Sequence, residues 1–137
     1  MSAVDEVRRA NRALYRAFES LRLDEMDRVW SHEDAVSCIH PGWPAAIGWP
    51  AVLATWRTIF ANTRDMRFRI TDETIDVRGD LAWVICIERV SSGAAGGVVL
   101  ATNVLRREGD GWKIVHHHGS AIAPELAPEP DASSTMN

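Results

Sequence analysis

Residues 79–90 read GDLAWVICIERV, and this stretch decides the fold. Gly79 and Asp80 form a turn, and apolar side chains then fill both faces of a predicted strand over Leu81–Val90. One face carries Trp83, Ile85 and Ile87, and the other carries Ala82, Val84 and Cys86. A monomer seldom exposes so large an apolar patch. We therefore expect helices against one face and a second copy of the chain, in a homodimer, against the other.

Three helical segments precede this strand. The first is a stripe at alternating steps of three and four, in which only Asn11 is polar: Val4, Val7, Asn11, Leu14, Phe18 and Leu21. Asp24 is the predicted cap of a short second helix whose inner face includes Met26 and Trp30. Trp49 and Pro50 open the third helix, because proline suits a first helical turn. The pattern places a helical layer ahead of the sheet.

The rest of the chain is predicted to form further strands. Apolar and β-branched side chains predict them at Ala35–Ile39, Met66–Thr71, Thr74–Val77, Val98–Arg107 and Trp112–His118. Ser91–Gly97 is a predicted loop, and Gly109-Asp110-Gly111 closes a hairpin. Helices followed by strands make one α+β domain over residues 1–123. Residues 124–137 hold three prolines and no aromatic side chain, which predicts a disordered tail.

Composition excludes several classes of partner. The chain has a net charge of −4, a pI near 5.7 and no basic stripe, so we expect no nucleic acid. No stretch approaches the roughly 18 apolar residues of a membrane span. The N-terminus is charged from its fifth residue and lacks a signal-peptide core. Cys38 and Cys86 lie in apolar runs as expected for buried, reduced thiols, and we expect a cytoplasmic protein.

The motifs, taken in order, resemble a known superfamily. They are Ile39-His40-Pro41-Gly42-Trp43, Gly48 through Trp56 to Phe60, Gly79-Asp80-Leu81-Ala82-Trp83-Val84, and Trp112 through Ser120. Together they resemble the nuclear transport factor 2-like superfamily and, within it, the SnoaL-like group. The hairpin over Thr102–Ser120 is also similar to the association domain of calcium/calmodulin-dependent protein kinase II. The resemblance implies a cone-shaped, curved antiparallel sheet wrapped around three N-terminal helices, with an apolar pocket inside.

The resemblance leaves activity open. The superfamily is similar in shape to steroid isomerases, dehydratases, epoxide hydrolases, polyketide cyclases and non-catalytic binding or assembly domains, and a shared fold does not transfer function. The steroid-isomerase pattern needs a tyrosine and two pocket carboxylates. Tyr15 is the sole tyrosine here and a candidate ligand contact, and no second pocket carboxylate is evident.

Glu88 is the leading candidate for proton chemistry. It shares a strand face with Val84 and Cys86, and by the resemblance that face points into the cone. A carboxylate among apolar side chains needs a partner, or its pKa rises, and either outcome suits a general acid or base. The alternative is a strand-end Glu that reaches solvent or pairs with an arginine. Asn103, on the next strand, can orient Glu88 or a ligand, whereas the resembling kinase domain carries an arginine there.

The run His116-His117-His118 offers two further candidates. Neighbours in a strand point to opposite faces, so His116 and His118 should share the inner face with Ile114, and His117 should face outward. We interpret His116 as a catalytic candidate and His118 as a ligand contact. Two histidines at this spacing, with Glu88 near, can also bind zinc. No further ligand stands at a diagnostic spacing, so we expect no metal.

The loop after the first strand completes the candidate set. His40 ends that strand beside a Pro-Gly turn, where its ordinary pKa near 6.5 suits proton transfer; it can equally hold loop carbonyls. Trp43 is a candidate lid, and Trp56 a candidate ligand contact or core residue. The sequence holds no phosphate loop, GxGxxG or HExxH motif, and we expect no cofactor.

Two classes of function remain open on the sequence alone. The first is a cofactor-independent isomerase, dehydratase or hydrolase that acts on a small apolar molecule by proton transfer. The second is a non-catalytic domain for ligand binding or assembly, whose pocket recognises a carboxylate or an aromatic compound. Polar groups on an apolar inner face favour the enzyme, and the missing second carboxylate favours the binding domain.

Overall fold

The computed structural model describes residues 1–130 of the 137-residue chain and begins with a helical layer. Its helices are α1 (Ala3–Ser20), α2 (Leu23–Val29) and α3 (Trp49–Ala61). The Ser2 hydroxyl caps α1 by accepting from the Asp5 amide at 3.1 Å, and α1 ends at Leu21 in a left-handed conformation. Asp24 lies inside α2, which has no side-chain cap, so the predicted cap is wrong. Within residues 1–130, no helix combines the length and apolar character that a bilayer crossing requires.

A six-stranded sheet curves around the helices without closing. Its strands are β1 (Ser37–Ile39), β2 (Ala46–Ile47), β3 (Arg67–Arg78), β4 (Leu81–Ser92), β5 (Ala95–Glu108) and β6 (Gly111–Ala121). They lie in the order β2-β1-β6-β5-β4-β3. Neighbours are antiparallel except that β1 runs parallel to β6, which corrects the fully antiparallel prediction. The predicted α+β architecture is confirmed.

Strand β4 follows the predicted alternation along its whole length. Ala82, Val84 and Cys86 are fully buried against the helices. On the outer face Trp83 is 37% exposed and Ile85 is 42% exposed. The core between the layers is filled by large side chains from the helices and from the strands, among them Leu14, Phe18, Met26, Trp30, Trp56, Leu105 and Ile114. The inner face of the sheet is therefore covered by helices, as expected.

Two strands depart from simple alternation. In β3 the pairing with β4 shifts between Thr71 and Thr74, where Asp72 adopts a positive φ of 54°. In β6 the pairing with β5 shifts at Val115. Ile114 lies opposite Leu105 and His116 lies opposite Val104, so Val115 is one residue more than β5 has at this point. Each shift is a β-bulge, which inserts one extra residue and changes the face of every residue beyond it.

Two segments that were predicted to lack regular structure, a loop and a tail, are more ordered than expected. The Ser91–Gly97 region is a tight hairpin, since β4 runs to Ser92 and β5 begins at Ala95. At the other end, Pro124–Leu126 forms a 3-10 helix. The Arg89 guanidinium donates to the carbonyls of Ala127 and Pro128, each at 3.1 Å. The predicted tail thus contacts the sheet through residues 127–129, and residues 131–137 lie outside the described part.

Candidate functional site

A cavity of about 320 Å³ lies between the ends of the helices and the concave face of the sheet. Its wall is mainly apolar and includes Phe18, Pro41, Trp43, Ile59, Met66, Phe68, Val90, Gly97 and Val99. Three further lining residues can exchange or share a proton, namely His40, Glu88 and His117. A mostly apolar cavity with a few convergent polar groups is typical of a small-molecule site.

Glu88 reaches the cavity from β4 with its side chain almost completely buried. The Tyr15 hydroxyl donates a hydrogen bond to Glu88 Oε2 at 2.7 Å. Burial raises the pKa of Glu88 to about 7, and the hydrogen bond from Tyr15 opposes that rise only in part. Burial and the nearby Glu88 charge raise the pKa of Tyr15 well above its ordinary value, so its hydroxyl keeps its proton. The pKa of Glu88 suits a carboxyl group that takes up and releases a proton near neutral pH.

His117 faces Glu88 from β6. Its Nε2 lies 4.0 Å from Glu88 Oε2, and its side chain is buried. On the other side of the ring, Nδ1 hydrogen-bonds to Asn103 Oδ1 at 2.5 Å. Burial, reinforced by the neighbouring histidines, lowers the pKa of His117 to about 3, so the imidazole is neutral at physiological pH.

Asn103 lies behind the cavity wall and connects Tyr15, the partner of Glu88, to His117. Its Nδ2 donates to the Tyr15 hydroxyl at 3.0 Å and to Asn11 Oδ1 at 2.8 Å. Neither Tyr15 nor Asn103 lines the cavity. They are instead the groups that hold the lining residues Glu88 and His117 in place.

His40 enters from the end of β1. Its Nε2 lies 2.9 Å from the Thr55 hydroxyl oxygen, and that hydroxyl donates to the carbonyl of Val52 at 2.7 Å. Since the Thr55 proton is thus engaged, Thr55 accepts from His40, which fixes the His40 proton on Nε2. Burial lowers the pKa of His40 to about 4. Trp43 stacks edge-on against this ring, lines the cavity and is 37% exposed, as a lid over the cavity would be.

The predicted assignment of the histidine run is wrong. His116 and His118 lie on the outer face, where His116 bonds to the Ser37 hydroxyl, and His117 is the member that faces the cavity. The physical reason is the bulge at Val115, which moves the phase of β6 by one residue. Neither His116 nor His118 lines the cavity that Glu88 reaches. Across residues 1–130, no three His, Cys, Asp or Glu side chains are grouped so as to hold a metal ion.

Trp56 is a core residue and does not line the cavity. It is fully buried and packs edge-on against both His40 and Phe18. Sequence reasoning missed Thr55, which binds His40, and Glu73, which binds Asn11. Asn11 itself carried a signal, because it is the one polar residue in the buried stripe of α1.

The fold and its cavity define a nuclear transport factor 2-like protein: a three-helix, α+β cone with a polar cluster inside. The family model for the SnoaL-like domain matches residues 7–124, and the chain belongs to that family.

Solved structures of similar shape support this assignment. A candidate dehydratase of the nuclear transport factor 2-like family from Streptomyces avermitilis is 39% identical, with a TM-score of 0.83 over 88% of this chain and 96% of that chain. A candidate calcium/calmodulin-dependent protein kinase type II association domain from Thiobacillus denitrificans is 38% identical, with a TM-score of 0.78 over 83% and 93%. The corresponding kinase hub of S. rosetta is 24% identical, with a TM-score of 0.75 over 89% and 98%, and shares the fold.

One plant protein also contains a similar stretch. F-box protein SKIP8 of Arabidopsis thaliana is 30% identical over 100 residues, which are 73% of this chain and 42% of the plant protein. The chain thus spans less than half the length of that relative.

Proposed function

We propose that the protein is a cofactor-independent enzyme that transfers a proton within a small, neutral, largely apolar substrate. The observation that carries this proposal is Glu88, a buried carboxyl in an apolar cavity whose pKa is raised to about 7. A general base or acid works best when its pKa is close to the working pH. The hydrogen bond from Tyr15 holds one carboxyl oxygen and leaves the other for the substrate.

The reactions that this arrangement suits are isomerisation and dehydration. In isomerisation, the Glu88 carboxylate takes a proton from carbon and returns it to another carbon of the same substrate. In dehydration, it takes the carbon-bound proton and delivers it to the neighbouring hydroxyl; the C–O bond breaks, a C=C bond forms and water leaves. Each reaction balances with a single carboxyl group and no oxidant. The 39% identical candidate dehydratase favours dehydration.

The cavity favours a neutral substrate over a carboxylate. No arginine or lysine is among the lining residues, and Asn103 is an uncharged amide where the association-domain resemblance implies an arginine. A carboxylate ligand would face ionised Glu88 without a compensating charge. At about 320 Å³, the cavity is at the small end of ligand sites and suits a monocyclic or bicyclic molecule.

Exchange in D₂O tests this proposal. Neutral β-hydroxy ketones and β,γ-unsaturated ketones would be incubated with the protein, and product formation and deuterium uptake followed by NMR and mass spectrometry. We expect Glu88→Gln to fold and bind ligand but to lower turnover by roughly 10²-fold or more, because an amide cannot exchange the proton. Glu125→Gln, an exposed carboxyl outside the cavity, is the matched control. Wild-type turnover in Glu88→Gln would reject Glu88 as the base.

A binding or assembly domain is the second candidate function, favoured by the exposed apolar patch on β4 and by the 38% identical candidate association domain. In this version the cavity holds a ligand without converting it. Native mass spectrometry would show a small molecule that stays unchanged in both wild type and Glu88→Gln. In either version we propose a cytoplasmic homodimer, to which the free, buried thiols of Cys38 and Cys86 are suited.

A further inference from the structure

Glu73 lies outside the cavity but at the start of a hydrogen-bond chain that leads into it. The bulge in β3 turns its side chain inward, toward α1, and leaves it only 10% exposed. There it pairs with the guanidinium groups of Arg8 at 3.4 Å and Arg12 at 3.5 Å. Asp72, the residue before it, has the positive φ that permits this turn. Aspartate is one of the few residues other than glycine that adopt this conformation readily.

The chain from Glu73 has a fixed direction. A carboxylate paired with two arginines can only accept, so the amide group that faces it must be the Nδ2 of Asn11, at 3.2 Å. Asn11 then presents its Oδ1 to Asn103, and Asn103 must answer with Nδ2, at 2.8 Å. Each amide has one donor side and one acceptor side, so fixing the first fixes the second.

The orientation of Asn103 in turn fixes the hydrogen bonds of the cavity residues His117 and Glu88. With Nδ2 turned toward Asn11 and Tyr15, Asn103 presents Oδ1 to His117 Nδ1, which must therefore carry the proton. The same orientation satisfies the lone pair of Tyr15 and leaves its hydroxyl proton for Glu88. His117 Nε2 is then an unprotonated acceptor directed toward Glu88, 4.0 Å away.

The reverse direction would give a different site. If both amides turned over, Asn103 Oδ1 would accept from Tyr15 and its Nδ2 would donate to His117 Nδ1. The proton of His117 would move to Nε2, and Tyr15 would no longer donate to Glu88. All hydrogen bonds among Asn11, Asn103, Tyr15 and His117 can form in either direction. Two contacts distinguish the directions: the one to Glu73, and the one from Tyr15 to Glu88 while Glu88 is ionised and can only accept. Once Glu88 is protonated and can itself donate to Tyr15, only the contact to Glu73 still sets the direction.

We propose that Glu73 is a positioning residue that holds His117 as the Nδ1-protonated tautomer and directs the Tyr15 hydroxyl to Glu88. Any effect of Glu73 on turnover rests on the proposed function of Glu88. The tautomer of His117 does not, because it is set whether or not the protein turns over a substrate. A substrate donor group could then bond to the free lone pair of His117 Nε2. In the reverse state Nε2 would carry the proton. It would then be a donor directed toward Glu88 and could not accept a hydrogen bond from the substrate.

Long-range ¹H–¹⁵N correlation spectra of protein labelled with ¹⁵N-histidine report this tautomer directly. The spectra are recorded at pH 5, where Glu88 is protonated and His117 is neutral, and in the wild type we expect the pattern of a ring with its proton on Nδ1. Glu73→Gln keeps the size of the side chain but offers both a donor and an acceptor, so we expect the Nε2-protonated form of His117 to appear beside the first. Arg12→Gln removes one ion pair and keeps the acceptor, and we expect the wild-type pattern there.

Each result bears on Glu73 separately from the proposed enzyme activity. A wild-type His117 protonated on Nε2 would overturn the proposal even if Glu73→Gln failed to fold. An unchanged Nδ1 pattern in folded Glu73→Gln would also overturn it, since the carboxylate would then not set the direction. Loss of the pattern in Arg12→Gln to the same degree as in Glu73→Gln would show a general structural effect instead. A protein without turnover in D₂O exchange would refute the role of Glu88 in catalysis but leave the expected spectra unchanged.

Discussion

Glu88 is held in a place that disfavours its charge. Burial raises its pKa from 4.5 to about 7, so the native state binds the proton more tightly than the unfolded chain does. Above pH 4.5 the unfolded chain loses that proton while the native state keeps it. By linkage, the contribution of Glu88 to stability is therefore fully present below about pH 4.5 and is lost as the pH rises to 7. A carboxyl with so perturbed a pKa is characteristic of functional sites, and the proposed proton transfer would use it.

The first prediction compares the stability of Glu88→Gln with that of the wild type at two values of pH. Gln resembles the protonated side chain and does not ionise, so its advantage should grow with pH. Between pH 5 and pH 8, we expect the free energy of unfolding to shift in favour of Glu88→Gln by roughly 2–3 kcal/mol. Urea unfolding at the two pH values measures this shift.

The comparison with Glu88→Gln is needed because two histidines change the stability of the protein with pH in the opposite direction to Glu88. Burial lowers the pKa values of His40 and His117, so their contribution is present above about pH 6.5 and is lost as the pH falls through the folded values. These contributions cancel in the difference between the two proteins. A difference that is independent of pH would mean that Glu88 ionises in the native state as it does in water.

At the scale of elements, the sequence specified regular strands well and bulged strands poorly. Strand β4 was predicted correctly because its apolar side chains alternate without a break. In β6, the buried positions Ile114 and His117 are an odd number of residues apart. In a regular strand, two residues on one face are always an even number apart. The three adjacent histidines gave an equally good pattern in the regular register, so the extra residue left no sign in the sequence.

The same limit explains why Glu73 was missed. In β3 the inner positions Ile70 and Ile75 are also an odd number apart, and the residues between them are Thr71, Asp72, Glu73 and Thr74. This polar interruption was the available signal, because Asp is one of the few residues that tolerate a positive φ. The direction of the amide chain, by contrast, arises from contacts between residues far apart in sequence. The local sequence pattern is therefore enough to identify Glu88. It does not identify Glu73, which orients the side chains around Glu88.

The second prediction concerns the bulge in β6. Deleting Val115 should restore a regular register with β5 and leave His117 on the inner face, because the bulge holds one residue too many. We expect a folded protein in which His117 remains neutral and buried, with a loss of stability on the order of 1–3 kcal/mol from the lost packing. Histidine NMR spectra and urea unfolding measure both properties.

Deletion of Ile87 is the control, because the register of β4 with β5 is regular at that point. It should move Glu88 to the opposite face and prevent folding. If the Val115 deletion instead exposed His117 to titration between pH 5 and pH 8, the bulge would not be the reason for its inward position.

At the scale of the whole molecule, the outer face of the sheet is covered unevenly. Near Arg89, residues 127–129 contact it, and Glu129 also pairs with Arg69. Toward the other end of β4, nothing in residues 1–130 covers a group of large apolar side chains: Leu81, Trp83, Ile85 and Leu100, which are 37–46% exposed. The chain thus closes one part of its own outer face and leaves an apolar patch on the rest. A patch of this kind typically marks a protein interface.

The third prediction is that this patch is the contact of a homodimer. A two-fold axis places the same patch on both subunits, so apolar side chains of one copy would cover those of the other. Light scattering at micromolar concentration should give about twice the 15.2 kDa of one chain. Ile85→Asp should dissociate the dimer and reduce solubility, because each subunit would bring a charge into the centre of the contact. Val4→Asp places the same charge at an apolar residue that is 37% exposed on α1, in the helical layer, and should leave the mass unchanged. A monomeric wild type, or an Ile85→Asp variant with the mass of a dimer, would place the subunit contact elsewhere or remove it.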